Sequence, residues 1–277
     1  MHRVAFSVDD LDAALAVAAK HGCFPLRGVA TYEDIYKLTA AKIYSVPAKE
    51  VNKDQRQIGK VAELACGYQG GVGAFQTMAR GYGVVVSDTL ANEIKTAWRD
   101  AHPNIVKYWY SLEDAAVSAV RHPGYKFACG PKGREVTYLV KGSFLFCKLP
   151  SGRALCYPYP KLKPKETPWG EMREQIHYMK VDGMSKKWQE ANFYGGLGSE
   201  NVTQAVSRDI LADAMLRVEA HGYPIVMHVH DEIVCEVLTC GPNMDLPLFE
   251  KCVAHVPAWA SGLPIAVEGW KGKRYRK

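Results

Sequence analysis

Two short stretches of the sequence combine charged and polar residues in patterns that could do chemistry. In the first, RQIGKVAELACGYQGG at residues 56–71, Arg56 and Lys60 stand four residues apart in front of an apolar run. On a helix this spacing puts both cations on one face, about 6 Å apart, where they can bind one multiply charged anion such as a triphosphate. Continuing by fours, Leu64 and Tyr68 would extend this face toward a nucleobase. The alternative is a solvated cation pair beside a core tyrosine.

The second stretch, YPIVMHVHDEIVCEV at residues 223–237, holds a His-Asp-Glu triplet between two apolar runs. We expect a hairpin with His230, Asp231 and Glu232 at its tight turn. A carboxylate in an apolar setting is costly unless a cation meets it, so Asp231 is a candidate ligand for a divalent metal. The alternative is a turn that simply favours Asp, with Glu232 facing water. A zinc site of His228, His230 and Asp231 is less favoured, because strand alternation turns Asp231 away from the histidines.

A third candidate residue lies in ENVTQAVSRDILADAMLRVEAHG, residues 200–222, which has the pattern of a long amphipathic helix. Gln204 and Arg208 share one face of this helix. Gln can donate to base acceptors in a minor groove, but such a residue is more often an ordinary surface residue. Gln204 is therefore a DNA-binding candidate only if other residues bring DNA beside it.

In the first half of the chain the elements that carry these residues are helices. Acidic residues followed by apolar periodicity indicate a helix at residues 8–20. YEDIYKLTAAKIYSVP indicates a second helix that ends before Pro47, and a third begins near Asn52 or Asp54. Two further helices complete a helical block at residues 53–120.

At about residue 124 the sequence becomes rich in β-branched and aromatic residues. Turn signals at Lys141-Gly142 and Ser151-Gly152 predict a small antiparallel unit. PKLKPKETPWG then has the composition of a connector, which leads to the long helix and the hairpin. A helical block followed by antiparallel strands predicts an α+β fold.

The composition limits the class of protein without choosing a function. The chain has 277 residues, 48% of them hydrophobic, which is enough to fill the core of one large or two small domains. A net charge of +6 suits a polyanionic partner and also many ordinary enzymes. The eight cysteines form no CxxC pair and lie mostly in apolar segments, as reduced cytosolic thiols do. No apolar run is long enough to span a membrane, and the N-terminal residues lack the apolar core of a secretory signal.

Taken together, the motifs resemble those of the family A DNA polymerases. RQIGKVAELACGYQGG resembles the family's nucleotide-binding helix, whose pattern is met by Arg56, Lys60 and Tyr68. HVHDEIV resembles the His-Asp-Glu hairpin of the palm, and the helix before it matches at Gln204 and Asp209. DIYKLTAAKIYSVP and the terminal GWKGKRYRK resemble the phage-type branch of the family.

The resemblance implies a fold of mostly helical fingers and part of a palm, with an antiparallel sheet that includes the hairpin. It also implies a division into four segments. Residues 1–30 would be a helical segment able to contact a partner, and residues 31–123 the fingers with the nucleotide-binding helix. Residues 124–185 would be a small β-rich insert and connector, and residues 186–277 the palm part.

For the incoming nucleotide, the resemblance implies that Arg56 and Lys60 bind the triphosphate of a dNTP. Tyr68 would lie beside the templating base pair. Tyr36 stands where many members have a histidine near the triphosphate. Leu64 is at a position that is aromatic in some members, so we count it among the nucleotide-binding residues without assigning sugar discrimination.

For catalysis, the resemblance implies that Asp231 binds two Mg²⁺ ions. Asp231, Glu232 and Lys60 are the catalytic candidates. His230 would approach the primer end, and Gln204 would contact the minor groove of the primer-template near the nascent pair.

One family motif is not matched. Two-metal nucleotidyl transfer needs ligands from two sides, and the family takes its second aspartate from a strand with the pattern Asp-x-Ser-x-x-Glu. That strand would fall near Ser7, where Ala5 and Phe6 precede the serine and Asp9 and Asp10 belong to the predicted helix. We therefore expect a second chain that supplies the first catalytic Asp strand, the thumb and, where there is one, an exonuclease.

The sequence thus predicts the C-terminal subunit of a split phage-type polymerase, which extends a primer with dNTPs in the host cytoplasm and is active only with its partner. Three alternatives stay open. The chain could be an inactive remnant that binds DNA or nucleotide, or a self-sufficient minimal polymerase that uses Asp9 or Asp10. A phosphohydrolase built on His228, His230 and Asp231 would leave the cationic helix face unexplained.

Overall fold

The computed structural model describes residues 2–7, 34–166, 170–238 and 245–275. The described residues have an α+β fold with seven α-helices and eleven strands in three antiparallel sheets, which confirms the predicted fold class. The chain divides into a larger unit, residues 30–202, and a smaller unit, residues 1–29 with 203–277. The helix expected at residues 8–20 lies outside the described residues. In the part of the chain that is described, no helix is both long and apolar enough to cross a bilayer.

The larger unit begins with five helices, which are α1 Ile35–Tyr44, α2 Lys53–Cys66, α3 Val72–Gly81, α4 Asp88–Ala101 and α5 Pro103–Arg121. Local signals set where they start. Asn52 and Gln55 form a reciprocal capping box at the start of α2, as the sequence predicts. Ser87 caps α4, and Pro103 is the first residue of α5, where its missing N–H is not needed.

The core of this helical part contains two tryptophans from successive helices. Trp98 of α4 and Trp109 of α5 are almost wholly buried, and their rings stack with centroids 5.9 Å apart. The ring of His102, at the junction of the two helices, stacks on Trp98 at 4.2 Å. This stack connects α4 to α5, and Trp109 also contacts Gly67, the residue after α2.

Two antiparallel sheets follow in the larger unit. One contains β2 Lys126–Cys129, β3 Val136–Lys141, β4 Phe144–Lys148 and β5 Ala154–Pro158, and the other contains β6 Lys161–Glu166, β7 Met172–Val181 and β8 Trp188–Phe193. Gly142 and Gly152, both with positive φ, make turns as the sequence predicts. The stretch predicted as a connector instead forms β6. Pro164 is tolerated there because β6 is an edge strand and has a neighbour on one side only.

The boundary between the units falls within α6 Gly195–Ala220, the long helix that the sequence predicts. The smaller unit continues with β9 Ile225–Val229, β10 Glu232–Val237, α7 Leu246–Ala254 and β11 Glu268–Gly272. Strands β9 and β10 pair as an antiparallel hairpin, also as predicted.

The sheet of the smaller unit includes a strand that the sequence does not predict. Strand β1 His2–Ser7 lies between β11 and β10, in the sheet order β11-β1-β10-β9. Its register with β10 runs from His2 opposite Val237 to Ser7 opposite Glu232. Strand β1 therefore leads toward the end of the sheet that carries the hairpin turn.

Most of the described cysteines are buried thiols. Six of them are free thiols, namely Cys66, Cys129, Cys147, Cys156, Cys235 and Cys252. Burial raises the pKa of Cys66 to about 12, and does the same for Cys129, Cys147 and Cys235. These thiols are therefore protonated and act as core residues.

Candidate functional site

Helix α2 presents a half-buried stripe made of Arg56, Lys60 and Leu64. Tyr68, one step further, is half-buried and follows the C-terminus of the helix. The opposite face of α2, which includes Ile58 and other small or aliphatic residues, is buried against the rest of the unit. The helix therefore keeps its two cations at the border between core and solvent, as the four-residue spacing predicts.

Tyr36 of α1 brings the two cations to one place. The guanidinium carbon of Arg56 lies 5.1 Å from the centroid of the Tyr36 ring, and Nζ of Lys60 lies 5.9 Å from the same centroid. Nζ of Lys60 is also 5.2 Å from the ring centroid of Tyr82, at the end of α3. Cations are attracted to the faces of aromatic rings, so these contacts hold both side chains in position. Sequence reasoning missed Tyr82, because nothing in its local pattern indicates this contact.

The carboxylate of Asp34 binds the guanidinium group of Arg56. Nε of Arg56 donates to Oδ2 of Asp34 at 2.5 Å, while Oδ1 of Asp34 caps α1 by accepting from the backbone N–H of Tyr36 and Lys37. Burial raises the pKa of Asp34, but the hydrogen bond from Arg56 and those from the backbone outweigh it, so the pKa lies below its usual value. Within the described residues, the two Nη nitrogens of Arg56 make no hydrogen bond, so they remain available as donors.

Close packing between α1 and α2 sets the position of Tyr36. Gly59 faces the backbone of α1, and a Cβ at this position would lie 2.0 Å from the carbonyl oxygen of Tyr36. One turn further along α2, the hydroxyl of Thr39 donates to the carboxylate of buried Glu63. Any side chain at position 59 would push the two helices apart. Sequence reasoning missed Gly59, because a glycine inside a helix does not reveal what it faces.

The loop after α2 is held by hydrogen bonds from the neighbouring helices. Its three glycines would suit a hinge, but Nε1 of Trp109 donates to the carbonyl of Gly67 at 3.0 Å. An Nη nitrogen of Arg99 donates to the carbonyl of Gly70 at 3.2 Å. The backbone around Tyr68 is therefore anchored to α4 and α5.

The first turn of α6, which belongs to the larger unit, packs on the same loop. A Cβ on Gly196 would lie 2.1 Å from the carbonyl oxygen of Tyr68, and the N–H of Gly196 donates to the side chain of Gln69 at 2.8 Å. The N–H of Gly195 donates to Glu113 at 3.0 Å. Burial raises the pKa of Glu113, and this hydrogen bond partly opposes the rise. The glycine pair allows the backbone of α6 to approach the end of the stripe.

In the smaller unit, the β9–β10 hairpin carries Asp231 at its turn. His230 has φ 53°, in the left-handed region that tight turns use, and its Nδ1 lies 3.2 Å from Oδ1 of Asp231. The side chain of His230 is 83% exposed and that of Asp231 is 27% exposed. The apolar setting expected for this turn is wrong on the β9 side. Most of β9 is exposed, although its residues are largely apolar.

Glu232 is buried at the start of β10 and does not face water. It accepts a hydrogen bond from the hydroxyl of Tyr275 at 2.5 Å, and this bond raises the pKa of Tyr275. The ring of Tyr275 lies beside Trp270 of β11, with centroids 6.5 Å apart. The cationic C-terminal segment thus supports the residue next to Asp231, and the catalytic role of Glu232 stays a prediction.

The donor groups at the hairpin do not complete a metal site. Among the described residues, no group of three or more His, Cys, Asp or Glu could hold a metal ion. The zinc interpretation with His228, His230 and Asp231 is therefore wrong for this geometry. Mg²⁺ binds through one or two carboxylates together with phosphates and water. Asp231 fits as one such ligand, although the described residues around it do not form a group of three or more metal-binding side chains.

Helix α6 presents the remaining candidates in its smaller-unit part. Gln204 and Arg208 are exposed and lie on one face, and Asp209 is half-buried. The predicted site residues thus form two groups, one in each unit. The larger unit carries Tyr36, Arg56, Lys60, Leu64 and Tyr68, and the smaller unit carries Gln204, His230, Asp231 and Glu232.

Comparison with known proteins gives two relatives. No family model matches the chain. A DNA polymerase of Bacillus phage SP02 is 40% identical over 251 residues, which cover 89% of this chain and 37% of that protein. Among solved structures, the fold is similar to the polymerase domain of Pol1 from M. smegmatis, in complex with a DNA primer-template and dNTP, with a TM-score of 0.57. That match has 14% identity and covers 99% of this chain and 40% of the other. The chain spans well under half the length of either protein.

Proposed function

We propose that this chain, which resembles the C-terminal part of the phage-type family A DNA polymerases, supplies the fingers and part of the palm of an enzyme that extends a DNA primer with dNTPs. The observation that carries the proposal is the cluster of Arg56 and Lys60 around Tyr36. It lies in the segment that is similar to a phage DNA polymerase at 40% identity. Template-directed synthesis is an activity that would use both such a cation cluster and a carboxylate at a palm-type hairpin.

The larger unit would bind the triphosphate of the incoming dNTP. The Nη donors of Arg56 match two phosphate oxygens in a forked geometry, and Lys60 adds a point charge. Asp34 and Tyr36 hold Arg56 in place before the nucleotide arrives, so less side-chain entropy is lost on binding. Leu64 and Tyr68 would continue the surface toward the base, and the bonds to the loop around Tyr68 would keep that surface fixed.

The smaller unit would hold the reacting end of the primer. Mg²⁺ would neutralise charge on the phosphates and favour attack by the primer 3′ hydroxyl. Asp231 would be one of its ligands, with its partly exposed carboxylate at the turn. Glu232, fixed by Tyr275, would keep β10 in register, and His230 and Gln204 would contact the primer-template.

The first catalytic carboxylate would come from a second chain, which would also supply the thumb and, where present, an exonuclease. One observation supports this arrangement: the Asp-x-Ser-x-x-Glu pattern is not matched near Ser7. The sheet constrains where a second chain could add a strand. Because β10 pairs with β1 and β9, a partner strand would join β9 or β11, the edges of this sheet among the described residues, or replace β1.

The position of β1 favours a second candidate, a chain that uses its own Asp9 or Asp10. Ser7 pairs with Glu232, so β1 ends at the edge of the sheet where the hairpin turn lies. Asp9 and Asp10 themselves lie outside the described residues. An aspartate from this segment would act without a partner strand.

Primer extension distinguishes these candidates. We expect the isolated chain to be inactive in the presence of Mg²⁺. We expect the complex purified from the host cytoplasmic fraction to extend a primer. Extension by the isolated chain, lost in Asp9→Asn or Asp10→Asn, would select the self-sufficient candidate. A native complex that binds dNTP and primer-template but never extends would select the inactive remnant. Full extension by an Asp231→Ala complex would exclude the assignment of Asp231.

A further inference from the structure

The basic excess of the chain is concentrated in its β-rich segment. Residues 124–194 contain 13 of the 35 Lys and Arg residues but only six of the 29 Asp and Glu residues. This segment therefore carries +7, and the rest of the chain carries −1. A basic segment of this kind favours a polyanionic partner. Neither the α2 stripe nor the hairpin uses it.

Within the segment, the sheet β2-β3-β4-β5 has one buried and one exposed face. Leu145 and Cys147 of β4 are fully buried, while Phe144 and Lys148, which alternate with them, are exposed. The register places Lys141 opposite Phe144 and Leu139 opposite Phe146. We call the exposed side the lysine–aromatic face. Its members are Lys126, Lys141, Phe144, Phe146, Lys148 and the following Tyr159.

The aromatic rings of this face form an exposed cluster. The ring centroids of Phe144 and Phe146 are 6.0 Å apart, and those of Phe144 and Tyr159 are 6.4 Å apart. Phe144 is 40% exposed and Tyr159 is 53% exposed. Tyr159 has φ 51°, a left-handed conformation that is uncommon for an aromatic residue, and its N–H donates to the carbonyl of Ser143 at 2.7 Å. A strained residue that holds its ring in solvent suggests a binding role.

The lysines of this face have no acidic partner among the described residues. Lys126, Lys141 and Lys148 are exposed, and none of them forms an ion pair there. The register positions on this side of the four strands contain no Asp or Glu. In the second sheet, by contrast, Lys163 pairs with Glu190. The lysine–aromatic face therefore keeps its positive charge available.

We propose that the lysine–aromatic face binds single-stranded DNA. Unpaired bases would stack on Phe144, Phe146 and Tyr159, while the lysines contact the phosphates, as on other stacking platforms for single strands. Paired bases in a duplex cannot expose their faces to these rings, so single strands should be preferred. The identity of that strand as unpaired template rests on the proposed function, whereas the binding itself does not.

Fluorescence anisotropy with a labelled oligothymidylate, without dNTP or divalent metal, tests the proposal on the full chain. We expect the double variant Phe144→Leu with Phe146→Leu, which keeps apolar volume, to weaken binding about tenfold. Lys141→Gln with Lys148→Gln should weaken it and flatten its salt dependence. Lys180→Gln with Lys187→Gln removes equal charge from the β7–β8 hairpin and is the matched control. Circular dichroism checks that each variant is folded.

Two results would overturn the proposal. One is a ring variant that binds the oligonucleotide as tightly as the unchanged chain. In that case the rings would not stack on bases, and this face would serve only general attraction to charge or a protein partner. The other is a duplex of the same length that binds as tightly as the single strand. Because the binding is measured without primer, dNTP or divalent metal, failure of the polymerase assignment and failure of this inference give different results.

Discussion

Helix α2 and the β9–β10 hairpin carry their candidate residues in different ways. Arg56 and Lys60 lie against Tyr36, and Arg56 also binds a carboxylate from another helix. Asp231 has the exposed His230 beside it, and the described residues there form no group of three or more metal-binding side chains. Arg56 and Lys60 are therefore held in position by neighbours within one unit, whereas the described residues give the Asp231 carboxylate only the contact with His230. The comparison agrees with the proposed roles, in which Arg56 and Lys60 bind phosphate directly and Asp231 binds it through Mg²⁺.

The largest expected effect tests the hairpin. Asp231→Asn should lower primer extension by the native complex about a thousandfold, because a metal ligand and its charge are lost. Binding of dNTP to the larger unit should change little. Steady-state extension and nucleotide binding measured in parallel check both statements. Asp100→Asn, an exposed acid on α4, is the control, and an equal loss in that variant would remove the special role of Asp231.

The next effect tests the α2 stripe. Arg56→Ala or Lys60→Ala should raise KM for dNTP about tenfold to a hundredfold, because each removes a charge-assisted contact to phosphate. A fall in kcat as well for Lys60→Ala would support its catalytic assignment. The measurement is extension rate against dNTP concentration. Lys53→Ala, which removes an exposed cation from the first turn of the same helix, should leave KM unchanged.

The third effect tests the packing that supports the stripe. Gly59→Ala should destabilise the chain by about 1–3 kcal/mol, because its Cβ would overlap the carbonyl of Tyr36. Urea unfolding measures the change. Gly73→Ala in α3 meets no atom within 4 Å and should be neutral or slightly stabilising. If both substitutions changed stability equally, Gly59 would not be needed for the close contact between α1 and α2.

The smallest effect tests Asp34. Asp34→Asn keeps a good helix cap but removes the charge that holds Arg56, so KM for dNTP should rise severalfold while stability at neutral pH falls by under about 1 kcal/mol. The folded-state pKa of Asp34 is lowered, so its contribution to stability is present above its unfolded value and is lost as pH falls through the folded value. Wild type and variant should therefore converge in stability on acidification. Unfolding midpoints measured across acidic pH check this convergence. A lower KM for dNTP in the variant would contradict the holding role and would mean that Asp34 competes with the nucleotide for Arg56.

Local chemistry explains why several elements could be predicted from sequence. The capping box of Asn52 and Gln55, the four-residue spacing of Arg56 and Lys60, and the apolar runs around His230 act over a few residues. Such local signals do not depend on tertiary contacts with the rest of the chain. The start of α2, its cationic face and the hairpin therefore follow from the sequence.

Other features depend on residues far apart in the chain. Strand β1 pairs with β10 across more than half of the sequence, and β6 is a strand because β7 is beside it. The ion pair of Arg56 with Asp34, and the ring of Tyr82 beside Lys60, are contacts between helices. No local pattern encodes these partners, since each is chosen by which surfaces meet when the core forms.

The sequence by itself determined which residues could bind a triphosphate and which carboxylate stands at a turn, because helix and hairpin periodicity act locally. Only the tertiary structure decided that Arg56 is held by Asp34, that Glu232 is buried under Tyr275, and that an exposed lysine–aromatic face remains on the β-rich segment. Burial and pairing between distant segments are properties of the packed chain, and they determine which of the charged groups are still free to bind a ligand.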